Sequence, residues 1–324
     1  MKIKTGIIGG AGYTGGELLR LLLQHPHAEI VFVQSKSNSG KKVYEVHKDL
    51  FGETELEFSE GISANVDVLF LCSGHGESRK FLEKNNVQGI KIIDLGQDFR
   101  VDNTDASGRK FIYGLSEWNR EEIATASSIA NPGCFATAIQ LALLPLAEKR
   151  LLQDEIHISA TTGSTGAGQA FSDTSHFSWR NNNVSSYKAF MHQHLGEIMQ
   201  SLLLRQTDFG AELNFIPNRG NFSRGIFASV YTNSGLNVEE AEKIFREAYA
   251  SSAFVHVCKN TPDLKQVVNT NKCFISVEKH GKKLLITSVI DNLLKGASGQ
   301  AVQNMNIMYG LSESAGLKLK AVAF

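Results

Sequence analysis

GIIGGAGYTGGELLRLL, residues 6–22, decides the first half of the fold. A short apolar run passes through glycines straight into a leucine-rich periodic segment, the pattern of a strand, a tight turn and an amphipathic helix. The turn contains Gly10-x-Gly12-x-x-Gly15 and, in a second register, Gly9-x-x-Gly12-x-x-Gly15, with Tyr13 and Thr14 inside it. Glycine lets the backbone approach a pyrophosphate, and the helix start supplies N–H donors and a favourable dipole. Gly9, Gly10, Gly12, Tyr13, Thr14 and Gly15 are therefore read as a dinucleotide-binding turn, the alternative being a purely structural one.

Outward from this turn, KTGIIG, EIVFVQ, VDVLFLC and IKIIDLG read as buried parallel strands, and LLRLLLQHP as a helix stopped by Pro26. This is a doubly wound α/β pattern. The second strand ends in Gln34, Ser35, Lys36 and Ser37, where an NAD site would carry an acid for the ribose. Hydroxyls with a lysine suit the 2′-phosphate of NADP, so Ser35 and Lys36 join the cofactor set, as do Ser73, Gly74 and His75 after the third predicted strand. Beyond residue 150, DEIHISATTG, SRGIFASVYTNS, KCFISVE and KLLITSVI are longer strands with few helices between them, which predicts an α+β mixed sheet. Asn237 and Glu240 have the spacing of a capping box opening one intervening helix.

Length and composition fit this picture of two domains, with 324 residues of which 42% are hydrophobic. Thirty-three basic residues balance 33 acidic ones, which points away from nucleic acid and from a membrane surface. No segment has the apolar length of a signal peptide core or a membrane span, so the expected location is cytoplasmic. Cys72, Cys134, Cys258 and Cys273 include no CxxC pair, and no metal site or disulfide framework is expected.

Cys134 is the cysteine with a chemical context. In NPGCFATAIQLALLPLA, residues 131–147, a turn signal precedes it and a buried helix follows, expected to end near Pro145. A helix start favours a thiolate; the plainer alternative is a small buried hydrophobe. Joined to a dinucleotide domain, a thiolate points to an acyl-enzyme and to hydride exchange with a nicotinamide. HQHLGEI, residues 192–198, offers His192 and His194 for proton transfer; their spacing of two does not match a helical metal pair.

The chain resembles the N-acetyl-gamma-glutamyl-phosphate reductase family, relatives of aspartate-semialdehyde dehydrogenase, nearly end to end. The resemblance is carried by GGAGYTG (9–15), DLGQDFR (94–100), YGLSE (113–117), NPGCFAT (131–137), TGSTGAG (162–168), HQHLGEI, SRGI (223–226) and DNLLKGASGQAVQNMN (291–306). It implies a Rossmann-type domain plus a catalytic and dimerisation domain, NADP(H), an acyl-phosphate substrate and a homo-oligomer. Cys134 would be the nucleophile and His194 the acid or base. The last helix, about 299–309, would return to the first domain, dividing the chain into 1–132 with 299–324, and 133–298. Arg100, Arg224 and Lys295 are candidate anchors for phosphate or carboxylate, and Asn292 and Gln300 for the cofactor; surface ion pairs and loop hydrogen bonds are the alternatives. Gln193, Gly196 and Asn218 depart from the family pattern and bear on substrate selectivity. A dehydrogenase of aspartate semialdehyde and a silent NADPH-binding sensor remain alternative readings.

Overall fold

The computed structural model describes residues 2–63, 65–74 and 76–323. They form two compact units, Met1–Pro132 with Ala297–Lys318, and Gly133–Gly296 with Leu319–Phe324. The sequence reading assigns 319–324 to the first domain, but the tail belongs to the second unit. There the Val322 N–H donates to the Val268 carbonyl at 3.3 Å, and the Asn269 amide to the Lys320 carbonyl at 3.4 Å. Ala297 and Ser298 belong to the first, where Asn131 Nδ2 donates to the Ala297 carbonyl and the Ser298 hydroxyl to the Thr14 carbonyl.

The first unit is built on seven strands, β1 (Ile3–Ile8), β2 (Ala28–Gln34), β3 (Phe58–Ser59), β4 (Val68–Leu71), β5 (Lys91–Asp94), β6 (Ile112–Tyr113) and β7 (Ser128–Ala130). Their order is β3-β2-β1-β4-β5-β7-β6, and every pair is parallel. Parallel strands covered on both faces need apolar residues on both, which is why Val68–Leu71 is buried at every position and lacks alternation. The switch point lies between β1 and β4, where the chain leaves the sheet in opposite directions and a ligand crevice opens. The three shortest strands, β3, β6 and β7, have too few residues to show a period and are absent from the sequence reading.

The second unit holds β8 (Ile156–Thr162), β9 (Ser185–Ser186), β10 (Leu213–Arg219), β11 (Ile226–Asn233), β12 (Val255–Val257), β13 (Cys273–His280) and β14 (Lys283–Ile290), in the order β12-β13-β14-β11-β8-β10-β9. It is mixed: β8 with β10 and β12 with β13 run parallel, the others antiparallel. Along β8, buried Ile156, Ile158, Ala160 and Thr162 alternate with more exposed residues, so one face carries the core. β10 contains Pro217, which hides it from a sequence reading. Its carbonyl accepts from Tyr187 on the β9 side, so the missing proline N–H faces a two-residue neighbour where little pairing is lost.

The helix Cys134–Glu148 is buried from Phe135 to Ala147. It continues through Pro145, where a sequence reading ends it. A proline there cannot donate to the carbonyl four residues back, and Tyr249 supplies the replacement, its hydroxyl donating to the Leu141 carbonyl at 2.6 Å. Such a bond contributes about 1 kcal/mol net, and more if its loss leaves the carbonyl unsatisfied. The capping box of Asn237 and Glu240 is formed in both directions, at 2.8 and 2.9 Å.

Candidate active site

Cys134 is the first residue of its helix, entered from Gly133 in an extended conformation, and it is partly exposed. The other thiols differ: burial pushes Cys72 and Cys258 up, and Cys273 is fully buried. Local chain geometry thus presents one thiol at a positive helix end, while burial favours the neutral form of Cys72 and Cys258.

His194 opens the helix His194–Arg205 and is buried. Its ring lies against Gly133, so closely that a Cβ at 133 would fall 2.4 Å from Nε2. Gly296 approaches Cys134 from another segment, where a Cβ would fall 2.8 Å from the cysteine Cβ. Glycine is required at both positions by close approach. One turn along from His194, buried Glu197 sets the geometry: its Oε2 accepts the Gly133 N–H at 2.9 Å, while Oε1 stands 3.9 Å from His194 Nε2. A single carboxylate therefore ties the turn before the thiol to the imidazole. The sequence reading misses Glu197 and both glycine roles; the only local signal is the i,i+3 spacing of His194 and Glu197.

His192 has a different environment. Its ring meets Phe135, Phe215 and Tyr187 edge-on, at centroid distances of 5.4, 5.4 and 5.8 Å. Burial, reinforced by Lys188 and opposed by Glu197, brings its pKa down to about 4. It is neutral near pH 7, and Nδ1 accepts the His194 N–H at 3.3 Å. Its place is behind His194, as a packing and orienting group.

The glycine turn of the first unit fits a dinucleotide. Gly9 has φ +75°, and a Cβ there would crowd Ser73 and the Cys72 carbonyl carbon at 3.0 Å, so the ends of β1 and β4 meet at this point. Gly10 and Gly15 are packing glycines: a Cβ at Gly10 would strike Val33 at 2.2 Å, and one at Gly15 the Gly10 backbone at 2.5 Å. At Gly12 a Cβ would meet only the Gly9 carbonyl, at 3.9 Å, which leaves the start of the Tyr13–Leu23 helix open to a phosphate. At the end of β2 the Gln34 side chain accepts from the Gly9 N–H at 3.4 Å. Ser35 is buried, with its hydroxyl accepting from Asn38, whereas Lys36 is exposed and Lys41 reaches Asn38 Oδ1 at 3.2 Å. The described residues thus put an amide and cations where an NAD site needs a carboxylate. His75 lies outside the described residues.

Two family descriptions match these units: the NAD binding domain of semialdehyde dehydrogenase over residues 4–126, and the semialdehyde dehydrogenase dimerisation domain over 134–292. Curated proteins named N-acetyl-gamma-glutamyl-phosphate reductase match throughout, one from Christiangramia forsetii at 57% identity and one from Bacteroides thetaiotaomicron at 56%, each across 99% of this chain and 100% of its own. The chain belongs to the N-acetyl-gamma-glutamyl-phosphate reductase family. The fold is shared more widely: aspartate semialdehyde dehydrogenase II from Vibrio cholerae superposes with a TM-score of 0.76 at 17% identity, over 96% of this chain and 99% of that one.

Within this family fold, the remaining sequence candidates are tied up in structure. Arg100 is buried, donating to the carbonyls of Asn131 and Leu95, both at 2.9 Å, and so steadies the turn that leads to Cys134. Arg224 grips fully buried Asp291 through Nε and Nη2, at 3.1 and 3.2 Å. Lys295 is fully buried, 5.9 Å from the Phe254 ring centre. The Asn292 side chain spans Gly225 and Thr165 in the second unit, which explains it as a loop tie. Gln300 is fully buried in the helix Gly299–Met308. Asn218 alternates to the opposite face of β10 from buried Phe215 and reaches Ser159, so its departure from the family pattern is directed away from the Phe135 side.

Proposed function

We infer that this chain is the NADPH-dependent reductase that converts N-acetyl-gamma-glutamyl phosphate to N-acetyl-glutamate semialdehyde and phosphate, a step of arginine biosynthesis. The observation that carries the reading is a partly exposed thiol at a helix start, with His194 and Glu197 bracketing its entry turn, in a chain more than half identical to reductases of that name. The Cys134 sulfur attacks the acyl carbon, phosphate leaves with the bonding pair, and a thioester remains. Bound NADPH supplies the hydride that takes the thioester carbonyl to the aldehyde level. The first N–H groups of the Cys134–Glu148 helix receive the tetrahedral oxyanion. As that oxyanion collapses to the aldehyde, His194 protonates the departing Cys134 thiolate; in the reverse direction it removes that proton. Glu197 fixes the imidazole and the turn before the thiol in one frame.

Gly9, Gly10, Gly12, Tyr13, Thr14 and Gly15 would hold the pyrophosphate, with Ser73 and Gly74 beside it. Ser35 and Lys36 would read the 2′-phosphate. Lys36→Ala is expected to weaken NADP about ten-fold or more, the worth of one charge-assisted hydrogen bond, while leaving NAD little changed. Kinetic constants for both coenzymes check it, and an equal loss for both would mean that Lys36 does not read the 2′-phosphate. We further propose a cytoplasmic homo-oligomer, supported by free cysteines among the described residues and by the match to a domain described as a dimerisation domain.

The deciding assay runs in reverse. Purified protein is given NADP and either N-acetyl-glutamate semialdehyde or aspartate semialdehyde, with and without phosphate. The expected result is phosphate-dependent NADP reduction with the N-acylated aldehyde and a far lower kcat/KM with aspartate semialdehyde. Equal use of the two aldehydes would make it a general semialdehyde dehydrogenase, and coenzyme binding without turnover would make it a sensor.

A further inference from the structure

The substrate of the proposed reaction is an anion at more than one end, yet Arg100, Arg224 and Lys295 are occupied elsewhere. A different group of polar side chains gathers at the end of β10. Arg219 follows Phe215 and Pro217 on the same face of that strand, the face on which Phe215 packs against Phe135, the residue next to Cys134. Its parallel partner across the sheet is Thr162, whose side chain shares that face.

Three buried polar atoms in this corner lack a hydrogen-bond partner among the described residues: Arg219 Nε, Thr162 Oγ1 and Arg180 Nε. Arg180 is itself more than nine-tenths buried, and its Nη1 donates to the Arg219 carbonyl at 2.9 Å while Nη2 meets the Ser185 hydroxyl. The Arg219 guanidinium lies 4.8 Å from the centre of the Tyr187 ring, and its Nη1 reaches only Thr174 Oγ1, at 3.4 Å. Among the described residues no carboxylate forms an ion pair with either arginine. Burial, and after it the Arg219 charge, makes Arg180 harder to charge. Tyr187 links the corner to Cys134, since Arg219 lies over its ring and its ionisation is opposed first by burial and then by Cys134.

Two guanidiniums held together without a counter-charge are costly unless an anion joins them. We propose that Arg219, with the Thr162 hydroxyl beside it and Arg180 as its positioning residue, binds a carboxylate of the substrate on the Cys134 side of the second sheet. The proposal rests on the reductase reading and names its specificity site. Two carboxylates have the required chemistry: the α-carboxylate of the glutamyl unit, and a terminal carboxylate on a longer N-acyl group such as succinyl.

The test compares wild type, Arg219→Gln and Arg219→Lys in the reverse assay with N-acetyl- and N-succinyl-glutamate semialdehyde, phosphate and NADP. A bidentate pair lost to glutamine is expected to raise the semialdehyde KM by about 30-fold or more, with lysine recovering part of the loss and the KM for NADP unmoved. A rise for both aldehydes assigns the α-carboxylate; a rise for the succinyl compound alone assigns the acyl terminus. A second readout needs no turnover. Cys134 alkylation by anionic iodoacetate, relative to neutral iodoacetamide, should fall several-fold in Arg219→Gln. Failure of the wild type to oxidise either aldehyde would sink the reductase reading, and the alkylation ratio would then decide the anion site alone. An unchanged ratio with unchanged aldehyde KM values, or a rise confined to the KM for phosphate, overturns the proposal.

Discussion

Cys134→Ser is expected to lower turnover by more than about 10⁴-fold while leaving NADPH affinity nearly unchanged. A serine alkoxide is scarcely populated at neutral pH, whereas a thiol at a helix start reaches its anion easily. The coenzyme is not expected to use this residue, because on the proposed reading its phosphates would be held by the glycine turn after β1, where Gly12 leaves the start of the Tyr13–Leu23 helix open. Alkylation gives the same answer chemically. Cys273 is fully buried and burial raises Cys72 and Cys258, so a small alkylating reagent should label Cys134 first and inactivate the protein as it does. Mass spectrometry of the inactivated protein checks the site. Inactivation that tracks the labelling of Cys72, Cys258 or Cys273 would remove Cys134 from the mechanism.

His194→Asn is expected to cost ~10²–10⁴-fold in rate, the range for loss of a positioned acid or base. His192→Asn should cost less. The two rings differ in surroundings despite their spacing of two. His194 lies on the glycine that precedes Cys134, and Glu197 stands 3.9 Å from its Nε2. His192 sits among Phe135, Phe215 and Tyr187 with its pKa brought down to about 4, so near neutrality it is the neutral imidazole and is a poor general acid or base. The limb of the pH–rate profile due to the acid or base should therefore vanish in His194→Asn and persist in His192→Asn. His192 also has a signature in stability. Its folded pKa lies below the usual value, so folding is unpenalised above about pH 6.5 and loses free energy as pH falls from there toward 4. His192→Asn should flatten that acid-side loss in a thermal-denaturation series. The reverse ranking of the two mutants in rate would transfer the proton to His192.

Four of the seven strands of the first sheet and four of the second are legible as apolar runs or alternations, because burial on two faces or on one writes itself into the residue pattern. The elements that escape are short, like β6, or carry a breaker, like β10 with Pro217. The helix after Cys134 is legible in its beginning and misread in its end, since only Tyr249, more than a hundred residues later, satisfies the carbonyl that Pro145 leaves behind.

The sequence by itself determined the strand, glycine turn and helix of the nucleotide end, the mixed sheet of the second half, and a thiol at a helix start. All of these are local: they depend on side-chain period, on glycine and proline, and on the dipole of a single helix. Only the tertiary structure decided what surrounds the thiol. Glu197 reaches Gly133 across 64 residues of chain, Gly296 closes on Cys134 from the far end of the second unit, and Asp291 takes Arg224 across 67. Arg224, Lys295 and Arg219 are equally basic in the sequence, and which one is left to meet an anion follows from which found a carboxylate or a buried niche when the sheet formed. Pairing at long range leaves no period in the chain, because it depends on where distant segments come to rest.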